Sequence, residues 1–96
     1  MAHQAMHAGN HLHALDSLDR ALSTDPHFAA AWHEKGNCLE EIGRLQEALA
    51  CYDQALKIDP YDAESWYNRG LLLKRIGRET EGFASINRGI DLALGR

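Results

Sequence analysis

Proline and cysteine are both scarce in this chain of 96 residues. Only Pro26 and Pro60 occur, so helix interiors are free of the residue that breaks them. Cys38 and Cys51 are the only cysteines, with no CxxC spacing, which reads as two buried thiols rather than a disulfide or metal site. No run approaches the roughly 18 apolar residues of a membrane span. The start, Met1-Ala2-His3-Gln4-Ala5-Met6-His7, lacks the basic opening and apolar core of a secretion signal, so cytoplasm is the default location. A surplus of positive charge is also missing. The net charge is −4, which argues against general nucleic-acid binding. The charge is unevenly spread. Residues 1–26 carry one basic and three acidic groups, 27–60 carry three and six, and 61–96 carry six and five.

What is present is a period of 34 residues. Gly9, Gly43 and Gly77 keep that step, as do Pro26 and Pro60, Trp32 and Trp66, Gly36 and Gly70, and the series Leu22, Leu56, Ile90. Such a period means one supersecondary unit stacked on itself. Apolar groups recur at helical spacing in 29–42, with Trp32, Leu39 and Ile42, and in 45–58, with Leu45, Leu49, Tyr52 and Leu56. Gly43 ends the first of these, because glycine accepts the left-handed conformation beyond a helix C-terminus. Asp59-Pro60 closes the second. The plan recurs in 63–76 and 79–94, with Asp62 as the N-cap of the former.

Counting back one period gives a helix over 11–23 and a short helical stub, cut off from it at Gly9-Asn10. Short connections make neighbouring helices antiparallel. The expected core is Trp32, Leu39, Leu45, Tyr52, Leu56, Trp66, Leu73 and Phe83, with Gly36 and Gly70 where helices cross.

Trp32-x2-Lys35-Gly36-x2-Leu39, Ala48-x3-Tyr52, Ala55 and Pro60 resemble the tetratricopeptide repeat pattern. Trp66-x2-Arg69-Gly70-x2-Leu73 begins a further copy, with Gly82, Ile86 and Gly89 where the family favours alanine, an aromatic and alanine. Ala14-x3-Leu18, Ala21 and Pro26 belong to an incomplete copy. The resemblance implies an all-α, right-handed helical solenoid of antiparallel helix pairs in one domain, 1–96. It divides into a partial repeat (1–26) and two full ones (27–60 and 61–96).

No glycine-rich phosphate loop, nucleophile elbow or HExxH motif occurs. Ser17, Ser23, Ser65 and Ser85 lack a spaced histidine and acid that would form a triad. His3 and His7 are one helical turn apart, but no neighbouring ligand completes a site, so no metal and no cofactor is expected. Catalysis is not expected either.

The resemblance instead implies a protein-interaction module, because the first helix of each pair lines a concave groove that takes an extended peptide. Carried over, it places His33, Glu34, Asn37, Glu40 and Glu41 in the groove, then Tyr67, Asn68, Leu71, Lys74 and Arg75, and His3, Met6 and His7 from the stub. Asn37 and Asn68 match the asparagines with which chaperone-binding members hold a peptide's terminal carboxylate. His33 stands where those members have lysine, and the third pair that supplies more cations is missing.

The partner is therefore a protein or peptide, not nucleic acid or membrane. The alternative is self-assembly. The terminal faces carry Met6 at one end and Ile86, Ile90 and Leu94 at the other, so they expose apolar surface that either further repeats of a longer array or a second copy would cover.

Overall fold

The computed structural model describes residues 2–96, with side chains described from residue 10 onward. Five helices follow in order: α1 Ala2–Thr24, α2 Ala29–Glu41, α3 Leu45–Ile58, α4 Ala63–Arg75 and α5 Glu79–Ala93. No strand occurs among the described residues. Each helix packs on the next, most extensively α4 on α5 and α2 on α3. The stack is a helical repeat solenoid.

Two kinds of turn alternate, and each has a local cause. Within a pair, Gly43 and Gly77 take φ of +84° and +89°. Arg44 N–H then donates to Leu39 C=O at 2.9 Å and Gly43 N–H to Glu40 C=O at 3.0 Å, which satisfies carbonyls orphaned at the helix end. Arg78 and Gly77 do the same with Leu73 and Lys74. Arg44 next opens α3 by a two-pronged contact to Glu47, and Arg78 opens α5 by one to Glu81. Between pairs the turn is Asp-Pro. Asp25 and Asp59 accept the backbone N–H two residues on, each at 3.1 Å. The indole N–H of Trp32 reaches Pro26 C=O at 2.9 Å, and that of Trp66 reaches Pro60 C=O at 2.8 Å. The tryptophans thus lock the turn as well as fill space.

The helix pairs cross where glycine removes a side chain. A Cβ on Gly36 would lie 2.7 Å from the Tyr52 ring, and one on Gly70 would lie 2.6 Å from Gly82 C=O. The core holds Leu15, Leu39, Ala48, Leu49, Cys51, Tyr52, Leu72 and Leu73. Leu39, Tyr52, Leu56 and Leu73 are buried as expected, whereas Trp32, Leu45 and Trp66 are half-buried.

Two expectations are corrected. Phe83 is 51% exposed, while Leu49 and Leu15, one and two periods earlier, are each 7% exposed. Those two have a following helix pair to cover them, and Phe83 has none among the described residues. The break at Gly9 does not form either, and α1 runs unbroken across it. The within-pair turns read Ile42-Gly43-Arg44 and Ile76-Gly77-Arg78, but the N-terminal triplet is Ala8-Gly9-Asn10. It lacks the arginine that grips a glutamate three residues on. A lone glycine inside a helix costs only about 1 kcal/mol. The stub therefore merges with α1, and the expected roles of the His3, Met6 and His7 side chains lie outside the described residues.

Candidate functional site

α2 and α4 lie side by side along a seam. His33 meets Ser65, Asn37 meets Asn68, and Glu40 meets Arg75. Both helices are first helices of their pairs, so their shared face is the one on which the candidate residues were placed.

Two hollows open on this seam. One, of 330 Å³, is lined by Asn37, Glu40, Glu41, Asn68 and Leu71. The other, of 180 Å³, is lined by Ala30, His33, Glu34, Asp62 and Glu64. Seven of the ten candidate residues thus line the seam's two hollows. Arg75 joins them by its ion pair to Glu40 at 3.1 Å. Tyr67 and Lys74 stand apart from them. Tyr67 lines a third hollow of 320 Å³ with Ala63, Glu64, Gly89, Ile90 and Ala93. The Lys74 ammonium sits 4.6 Å from the Phe83 ring centroid, drawn to the ring's negative face.

Beneath the seam runs a polar chain that joins three helices. Asp62 caps α4 and accepts the Ser65 hydroxyl proton at 2.6 Å. A hydroxyl has one proton, and the carboxylate can only accept. Ser65 Oγ must therefore accept from His33 Nδ1–H, at 2.5 Å. The other ring nitrogen of His33, Nε2, faces Asn68 Nδ2 at 3.4 Å and Glu64 Oε1 at 3.6 Å. Asn68 Nδ2 also lies 3.4 Å from Asn37 Oδ1. The Tyr52 hydroxyl points at Asn37 Oδ1, 2.6 Å away, and at Glu40 Oε1, 3.0 Å away. Burial, reinforced by the Glu40 carboxylate, pushes the Tyr52 phenol well above its ordinary range. It stays a donor.

His33 is only 6% exposed, so it supports the floor rather than presenting a free ring. Neither Ser65 nor the Tyr52 hydroxyl is marked outright for this role by any local sequence pattern. Asp62 was legible only as a cap, and the spacing Asp62-x-x-Ser65 was the one available hint.

A histidine, a serine and an aspartate in contact invite comparison with a nucleophilic triad. The order is wrong, because Ser65 stands between the other two. Ser65 is also fully buried, so no substrate carbonyl reaches its Oγ. The thiols are not activated. Burial is the main cause that raises both Cys38 and Cys51, with Glu34 and Glu41 adding to it at Cys38. Among the described residues, no group of three histidine, cysteine or acidic side chains is poised for a metal ion. No helix among the described residues is long and apolar enough to cross a membrane.

These helix pairs, glycine crossings and indole-locked turns define a helical repeat scaffold of the kind that engages other proteins. Family models described as "TPR repeat" and "Tetratricopeptide repeat" match residues 36–77, 17–50 and 63–95. The chain belongs to the tetratricopeptide repeat family.

Its fold is similar to that of MamA. One MamA crystal structure is 20% identical and superposes with a TM-score of 0.85 over 90% of this chain and 50% of its own. MamA 41-end from Desulfovibrio magneticus RS-1 is 16% identical, with a TM-score of 0.84 over 91% of this chain and 49% of its own. This chain therefore spans about half the length of those structures. A Thermobaculum terrenum O-GlcNAc transferase mutant is 28% identical, with a TM-score of 0.83 over 95% of this chain but 18% of its own. No curated protein matches the chain.

Proposed function

We propose that the chain is a non-catalytic interaction module that holds an extended segment of a partner protein along the α2–α4 seam. The observation behind this reading is the pair of hollows over a floor whose polar atoms already satisfy one another. A pre-ordered floor costs little further ordering when a ligand arrives. The Asn68 amide nitrogen is held only at 3.4 Å from Asn37 Oδ1 and from His33 Nε2, so a peptide backbone carbonyl can compete for it. A photoreactive benzophenone amino acid tests the placement, installed at Leu71 in the seam or at exposed Ala84 on α5. The seam position should cross-link the partner. Cross-links from Ala84 alone would reject it.

A different surface favours self-assembly as a second function. Phe83 and Ile90 on α5 and Leu94 at its C-cap are 51%, 41% and 63% exposed, and Ile90 lines the apolar hollow at Tyr67. In the previous repeat the corresponding face, around His33, is covered by α4. A second copy would supply the missing cover. Sedimentation equilibrium should then give a mass that rises with concentration, and a strictly monomeric mass at the highest concentration would remove this function.

A further inference from the structure

The two seam hollows carry acid at both levels and almost no free cation. Glu34, Asp62 and Glu64 border the smaller, and Glu40 and Glu41 border the larger. Arg75 is the cation at the seam, and Glu40 already holds it. Lys74 leans away over Phe83. Glu34 and Glu41 are exposed and make no hydrogen bond or ion pair among the described residues. Their charges therefore face the groove with no cation paired to them among the described residues, and a cleft lined by one sign of charge attracts ligands of the other.

We infer that the ligand of this groove is a basic peptide with two arginine or lysine side chains three residues apart. The inference rests on the groove function proposed above and specifies its partner. The spacing follows from helix geometry. Glu34 and Glu41 are seven residues apart on α2, about 10.5 Å at about 1.5 Å per residue. An extended polyproline-type peptide repeats its facing every three residues and rises about 9.3 Å in doing so. Cations at positions i and i+3 then reach one carboxylate cluster each, while the residues between them lie over Asn37 and Asn68. The same charges repel nucleic-acid phosphate and acidic peptides.

Affinity selection from a display library of random dodecapeptides tests this, followed by fluorescence anisotropy with the recovered peptides. The expected winners carry arginine or lysine at i and i+3. Their affinity should fall at least about tenfold in Glu34→Gln/Glu41→Gln, and likewise in about 0.5 M salt, where screening is strong. Both glutamates are exposed and unpaired, so this variant keeps the fold. Recovery of neutral or acidic peptides whose NMR footprint covers Asn37 and Asn68 would overturn the basic-ligand inference and leave the groove standing. Recovery of no peptide, or only of peptides whose footprint lies on α5, would overturn both.

Discussion

Tyr52 carries two loads at once. Its ring fills the space Gly36 leaves open, and its hydroxyl fixes Asn37 and Glu40 under the seam. Gly36→Leu should therefore cost about 1–3 kcal/mol or more in urea denaturation, because the crossing is already in contact. Tyr52→Phe keeps the ring and removes the donor, and should cost about 0.5–1.5 kcal/mol, because the acceptors Asn37 and Glu40 are only half-buried and water can replace the lost donor. It should also change the alkaline response. The folded phenol is pushed up, so it stays protonated while an unfolded tyrosine ionises near about pH 10. This group's contribution is complete below that pH and is lost as pH rises past it. Wild-type stability should fall more steeply than that of Tyr52→Phe above about pH 10.

The helices owe their limits to their ends more than to their middles. Glu47 and Glu81 lie in the first turns of α3 and α5, each gripped by the arginine three residues earlier. Those hydrogen bonds hold both carboxyls below the ordinary glutamate value. Their contribution is present above the unfolded value of about 4.3 and fades as pH falls below it. Acid titration of stability by circular dichroism should therefore be shallower in Glu47→Gln/Glu81→Gln than in wild type. Equal slopes would mean that the grips are ornamental. Helices α2 to α5 were legible because Gly43, Gly77 and Asp59-Pro60 are local signals that act within one turn. The unbroken α1 was not, since the same glycine at position 9 lacks its arginine partner. In the seam, the repeat resemblance places Asn37, Glu40, Asn68 and Leu71 on the first helices of their pairs, and these four line one hollow. Ser65 was not legible there, because its partner His33 lies 32 residues away in the chain. Contacts of that range leave no trace in local spacing.

At the scale of the whole molecule, surface is divided by chemistry. The α2–α4 seam is polar and acidic, and the α5 face is apolar. If a second copy covers α5, Ile90→Glu should shift sedimentation to a monomer and leave helicity intact, because Ile90 is 41% exposed. The seam variants should not alter the mass. The central claim is that a partner segment lies on the seam. It is tested most directly by two-dimensional amide NMR as a selected peptide is added. Shifts should concentrate at Asn37, Glu41, Asn68 and Leu71. Shifts confined to Gln46, Asp53 and Arg88, on the second helices of the pairs, would contradict it.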